Sequence, residues 1–497
     1  MQYIPFLISG LVPVALSKSL FEATSNTRID GNDIAAIFGP VLTPEAHIFL
    51  PSDGDYEDNV MARWSTFNDP SYVATVKPAT ETDVQAIREY QVSTAASHNI
   101  TFFATGGGHG VKLNFGNVQN AINIELSLLD FIDLDLDNEV VTIGPGVENA
   151  QLYDLLSSVG KETALTGERC VNTIGPTLGG GLGPLYGIRG PQVDSLVSAR
   201  LVTASGDVIT VSRSENRDLF WAIRGAGANF GIVTSATYRI YDQTNGGMAV
   251  SAQFAFAPAV NRSVFDLMES MNDEYPLGMS GGMILSYNHT TNEPSVQWNL
   301  LFMGSNEDAQ PWLDKIQALG PIDSSIRNVP WHRRDEPEVP YCERGQHYIL
   351  YNLNLRRTDA ATLQSYFDSF VDFSSKNPWF DCDLMYERQA TDAALAVPLS
   401  ERGVGPWRDS KINANFLVVT PSEEYDEAAD AFVRPFMDRF QAVMGFDTLH
   451  VYVNEALGDE GPASWYGEEN LPRLVALKQQ WDPENKFGAG APIPLSL

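Results

Sequence analysis

The chain has 497 residues, enough for roughly two to four domains or one large enzyme unit. Its composition, 43% hydrophobic and 10% aromatic, supports a sizeable core and excludes a wholly disordered chain. With 63 acidic against 32 basic residues the net charge is −31, which argues against nucleic-acid binding and against docking on anionic lipid.

At the amino terminus, Ile4 to Leu16 is an apolar run too short to span a bilayer. Ala15-Leu16-Ser17 places small residues around a signal-peptidase cut, so residues 1–17 read as a signal peptide and the protein as secreted or lumenal. No Lys or Arg precedes the run, and Pro5 and Pro13 interrupt it, so a buried amino-terminal segment is the alternative. Sequons at Asn99, Asn261 and Asn288 would carry glycans only in a secreted chain. No longer apolar stretch follows, so no membrane insertion is expected.

Residues 18–68 form a polar amino-terminal segment. SYVATVKPAT then reads as a strand, TDVQAIREYQVSTAASH as a helix capped by Thr82 or Asp83, and ITFFAT as a buried strand. NAINIEL and EVVTIGPG are two further strands, residues 149–160 a helix, and LVSARLVTA and DVITVS a strand pair joined at Ser205-Gly206-Asp207. The texture changes near residue 245. MAVSAQFAF, GGMILSYN, SVQWNLLFMG, HYILYNLNL, INANFLVVT and TLHVYVNEA alternate apolar and polar residues, as in an antiparallel sheet with one covered face. Helices near 261–273 and 424–443 would cover it, and a last helix at about 469–480 stops before Pro483. The fold class is α+β, divided at 69–245, 246–449 and 450–497.

Cys170, Cys342 and Cys382 are too widely spaced for a CxxC motif, and three cysteines allow at most one disulfide. The seven histidines contain no HxxxH or HExxH pair, so no metal site is expected.

Three glycine runs punctuate the β-rich first half: Gly106-Gly107-Gly108-His109-Gly110, Gly179-Gly180-Gly181, and Gly225 to Gly231 leading into GIVTSATYRI. Such runs let backbone N–H groups approach a diphosphate closely. The first is not a GxGxxG fingerprint, because a third glycine and a following helix are missing. Three flexible loops are costly in folding entropy unless a ligand orders them, and a large cofactor threaded through all three is the economical reading.

At these residues the chain resembles the berberine-bridge-enzyme-like FAD-linked oxidases with a PCMH-type flavin domain. KPATETDVQAIREY, TGGGHG, the long stretch from TLGGGLG to GANFGIVTS, and the tail YGEENLPRLVALKQQWDPENKF resemble the family's motifs in their usual order. The resemblance covers about residues 68–245 and 448–490 strongly and the middle weakly. It implies a two-part flavin domain, an antiparallel-sheet substrate domain over 246–449, and a segment from 450 that returns to the flavin domain. It also implies FAD bonded through its 8α-methyl carbon to His109. Gly106, Gly107, Gly108 and Gly110 would cradle the diphosphate, and Gly180, Gly181, Gly231, Ile232 and Val233 would line the remainder.

Some members add a second flavin bond from a cysteine in G-x-C-x-x-V-G. That position holds Val171 here, and Cys170 is one residue off; it is nevertheless a candidate second tether. The family's Y-x-N-Y appears as Tyr452-Val453-Asn454-Glu455, so Tyr452, Asn454 and Glu455 are the candidate catalytic residues. On a strand, Tyr452 and Asn454 would share one face and Glu455 the other, where it is either a solvated strand-end acid or a base. Tyr386, Glu387 and Arg402 are further candidates in segments that could face the pocket. The resemblance implies hydride transfer from a small molecule, often a secondary metabolite, to flavin, with reoxidation by dioxygen. A carbohydrate oxidase is the runner-up, and a flavin-holding cyclase or binding protein without redox turnover is the reading from another class.

Overall fold

A computed structural model describes residues 31–98, 101–334, 341–405 and 407–497. The signal peptide expected over 1–17 and the sequon residue Asn99 lie outside the described residues.

β-Branched residues in Tyr72–Lys77 make it a strand, and it pairs in parallel with Ala121–Glu125. That strand pairs in parallel with Phe102–Thr105, and His47–Phe49 closes the other edge, giving a four-stranded sheet. The crossover helix is Glu81–His98. Its cap is Thr80 rather than Thr82 or Asp83: the Thr80 hydroxyl accepts from the Asp83 N–H at 3.1 Å, and the Asp83 carboxylate accepts from the Thr80 N–H at 2.9 Å. This reciprocal pair satisfies two of the N–H groups that a helix start leaves free. A second, antiparallel sheet of five strands carries Val140–Ile143, Leu196–Val202, Val208–Ser212 and Ile232–Arg239, with Ile132–Asp135 on its edge.

After the turn at 244–247 the chain builds one antiparallel sheet of seven strands. In spatial order these are Asp323–Pro330, Met248–Phe256, Glu293–Phe302, Met279–Asn288, Asp381–Gln389, Ile412–Val419 and Tyr348–Leu355. Period-two alternation sends one set of side chains, among them Leu384, Tyr386 and Phe416, into a core beneath helices Ala360–Lys376 and Asp426–Met444. The other set faces the first half of the protein.

The stretch 448–456, expected as a strand, is not one. The Glu455 N–H bonds the Tyr452 carbonyl at 2.9 Å in a turn, and the ammonium of Lys112 occupies the carbonyls of Val453, Asn454 and Ala456. With those groups engaged, no ladder can form. Strands Asp323–Pro330 and Asp381–Gln389 escape the sequence pattern because one is an exposed edge and the other turns Glu387 and Gln389 toward a cavity.

Helix Leu471–Trp481 brings the tail home. Lys478 and Asp482 are fully buried and bonded at 2.6 Å, and Lys478 also donates to the Asn229 carbonyl at 2.9 Å. Asn229 in turn accepts from the Ile493 N–H through Oδ1 and donates to the Ala491 carbonyl through Nδ2. A buried ion pair thus joins the carboxyl terminus to the third glycine loop.

Candidate functional site

A cavity of about 1060 Å³ lies between the glycine loops and the free face of the large sheet. On the loop side, Gly106, Gly107, Gly108, His109 and Gly110 line it, as do Gly231, Ile232 and Val233. A Cβ at Gly107 would strike the Asn172 amide oxygen at 2.5 Å, and Gly108 has a φ of +68°, so these positions tolerate little but glycine. Gly180 and Gly181 sit one layer back from the expected position, while Gly179 and Gly183 line the cavity. The Gly181 N–H donates to the Tyr452 hydroxyl at 3.0 Å and the Leu182 N–H at 3.3 Å.

His109 projects from this loop with Nδ1 buried and without a hydrogen-bond partner. Burial, with help from the charges of Arg344 and Arg63, draws its pKa down to about 4, so the imidazole is neutral with a lone pair to share. Backbone N–H groups around the cavity and an uncommitted imidazole fit FAD and its 8α attachment.

Cys170 lies 4.0 Å from His109 Nε2, but its sulfur is bonded to Cys342. That takes it from the expected second flavin bond. The partner is delivered by residues 341–346, which lie across the loop: Arg344 donates to the carbonyls of Gly107 and Ala62 at 2.9 Å each, and Trp64 Nε1 to the Tyr341 carbonyl at 2.8 Å. Cys382 remains free and buried.

On the sheet side, register aligns a transverse row of Ser325, Gln253, Asn299, Gly282 and Glu387, all lining the cavity. Beside it run Ile284, Met385, Leu417 and Leu350, so one wall offers amides and the next alkyl surface. Tyr386 faces the opposite way, with its hydroxyl on Thr358 at 3.1 Å, because alternation along the strand separates it from Glu387. Arg402 donates to the carbonyls of Val397 and Leu395 and stands outside the cavity wall.

Tyr452, Asn454 and Glu455 do meet at the cavity. The Asn454 amide donates to the Tyr452 hydroxyl at 2.6 Å and to the Pro176 carbonyl at 2.9 Å. Burial, then the nearby Glu455 charge, hold the Tyr452 hydroxyl well above its ordinary pKa, so it stays protonated. Glu455 is no solvated strand-end acid. Its Oε2 accepts from Asn352 at 3.0 Å, Asn413 at 2.8 Å and Asn415 at 2.9 Å, which leaves Oε1 for the cavity. Burial raises the Glu455 pKa, while the Asn413 and Asn415 amides and the Lys112 charge pull it back.

Glu387 opens on the same lumen. Its side chain is open to the lumen, yet desolvation by the surrounding walls, then the charges of Glu455 and Glu168, push its carboxyl up to about 7 while the Asn413 amide pulls it back. Both acids are raised by desolvation, but only Glu455 has amide donors on one oxygen and the Lys112 charge to oppose it, so their environments differ. The asparagine triad was legible as Asn-x-Asn in two otherwise apolar runs, YNLNL and INANF, but only cross-strand register joins them. Among the described residues no helix is long and apolar enough to cross a membrane.

Comparison with known proteins agrees with this geometry. An FAD binding domain model matches residues 73–212, and a model described as berberine and berberine like matches residues 451–494. The FAD-linked oxidoreductase tazL of Aspergillus terreus is 42% identical, with 99% of each chain covered. The FAD-linked oxidoreductase azaL of Aspergillus niger is 38% identical over 90% of this chain and 96% of its own. Wild-type BBE-like 1 of Physcomitrella patens shares the fold at a TM-score of 0.78 and 18% identity, covering 93% of this chain and 99% of that one. The glucooligosaccharide oxidase of Acremonium strictum, described with a 6-S-cysteinyl, 8α-N1-histidyl FAD, also has a TM-score of 0.78, at 21% identity over 93% and 98%. With relatives this similar along nearly the whole length, the chain belongs to the berberine-bridge-like family of FAD-linked oxidoreductases.

Proposed function

We propose that this protein is an oxidase acting on an alcohol or activated C–H centre of a small secondary-metabolite molecule, with Glu455 as the base. Bound FAD supplies the hydride acceptor, and dioxygen reoxidises it to give hydrogen peroxide. His109 would hold the flavin through its neutral imidazole, and the loop glycines would hold the diphosphate. The observation that carries the reading is the Glu455 carboxylate on the cavity lining, with one oxygen fixed by three amides. Three donors on one oxygen favour the charged form and fix its direction, as a base requires. Glu387, protonated below about 7, can donate a hydrogen bond to a substrate oxygen. Gln253 and Asn299 would hold further oxygens, and Met385 and Leu417 a hydrocarbon part.

The sulfur of Cys170, out of register with the family's second attachment position and bonded to Cys342, weighs against the carbohydrate reading. The Cys170–Cys342 disulfide supports passage through an oxidising compartment, in keeping with secretion. Of the two described sequons, Asn288 is exposed and Asn261 buried, so Asn288 is the better glycan acceptor.

The test is anaerobic mixing of holoenzyme with panels of phenolic and polyene alcohols and of oligosaccharides, followed by admission of air. Bleaching of the flavin by the first panel, with peroxide appearing on aeration, is expected. Bleaching by sugars alone would transfer the assignment to a carbohydrate oxidase, and conversion without bleaching or peroxide to a cyclase. After denaturation the flavin should remain on the peptide containing His109, and His109→Ala should release it.

A further inference from the structure

Lys112 follows the flavin loop directly, and its ammonium is buried. It makes no ion pair among the described residues. Its three N–H donors instead meet three backbone carbonyls, of Val453 at 2.8 Å, Asn454 at 3.3 Å and Ala456. The Leu113 N–H adds a bond to the Leu457 carbonyl at 2.8 Å. A cation matched to three carbonyls of one turn fixes that turn, and the turn carries Glu455.

We propose that Lys112 is a positioning residue that clamps the backbone of 453–456, setting its buried ammonium on the turn that carries Glu455 and aiming that carboxylate at the cavity. The proposal rests on the assignment of Glu455 as base. Removing the ammonium leaves three carbonyls without their donor and takes away the cation that draws the Glu455 pKa down. The other titratable groups facing this cluster cannot replace it. Glu387 and Glu460 are acids, and Tyr452 is held protonated. Glu460 is committed to the N–H groups of Leu457 and Gly458 and to Trp465 Nε1. Burial draws the pKa of Lys112 down to about 8, with Glu460 and Glu455 opposing, so the ammonium remains charged at neutrality.

The test compares holoenzymes of Lys112→Met, Lys112→Arg, Glu455→Gln and the Lys112→Met/Glu455→Gln double variant. The readouts are the pH profile of anaerobic flavin reduction and amide hydrogen exchange in the 451–458 peptide. Lys112→Met is expected to move the acid limb of the profile up by about one pH unit and to speed exchange in that peptide. Lys112→Arg keeps the charge and should keep the limb. In the Glu455→Gln background, Lys112→Met should cost less than about twofold more in rate, because both changes act on one group. A wild-type limb and wild-type exchange in Lys112→Met, or fully additive losses in the double variant, would overturn the proposal. Should Lys112→Met fail to load FAD, a one-unit shift in flavin-loaded Lys112→Arg overturns it and an unmoved limb upholds it. If Glu455→Gln alone leaves the rate intact, the base assignment has failed, and the exchange result still judges the clamp.

Discussion

The two walls of the cavity are built in opposite ways. The flavin wall is built largely on glycine backbone: Gly107, Gly179 and Gly231 stand where a Cβ would collide, and His109 projects among the glycines of the first loop. The sheet wall is side chain: Gln253, Asn299, Glu387 and the asparagine triad project from strands far apart in sequence. A backbone wall depends on short runs of one residue type. A side-chain wall depends on register across strands, so its chemistry can be changed one position at a time without altering the cofactor site.

Glu455→Gln is the strongest attempt to break this division. Flavin reduction by substrate should slow by about 10²- to 10⁴-fold with FAD content unchanged. A variant retaining half the wild-type rate would remove Glu455 from the chemistry. Next comes Asp482→Asn, which leaves the Lys478 ammonium buried without its partner. A loss of about 3–5 kcal/mol in urea unfolding is expected, and an unmoved midpoint would show that the tail is accessory to the flavin wall.

Cys342→Ser cuts the covalent link between the walls, which spans 172 residues of sequence. Under non-reducing conditions it should cost about 2–5 kcal/mol while the His109 peptide keeps its flavin mass. A flavin adduct on Cys170 in the wild-type protein would reverse the assignment of that sulfur. Glu387→Gln has the smallest effect and sharpens the comparison through pH. The folded state holds the Glu387 proton more tightly than the unfolded chain, about 7 against an ordinary 4.5. Its contribution to stability is therefore complete below 4.5 and lost as pH rises through 7. The Tm of Glu387→Gln should fall less than wild type across that interval, and parallel curves would show that Glu387 is not enclosed.

Much of the flavin wall was readable in the chain. The loop holding His109 and the strands around it lie where local pattern puts them, and the returning tail where the family resemblance puts it. Cys170 misled because a pairing with Cys342, far along the chain, decides the fate of its sulfur. Strand alternation failed at 452–455, since Lys112 draws that segment into a turn. Glu387 was one of three speculative residues, and only the side of its strand separated it from Tyr386.

By itself the sequence determined the α+β class, the glycine loops and the place of His109 among them, because φ freedom and hydrophobic periodicity are local properties. Tertiary structure alone decided which acid is held by amides, which sulfur is spent, and which lysine holds the turn. Those outcomes depend on desolvation and on partners distant in the chain, and neither is a property of any short stretch of residues.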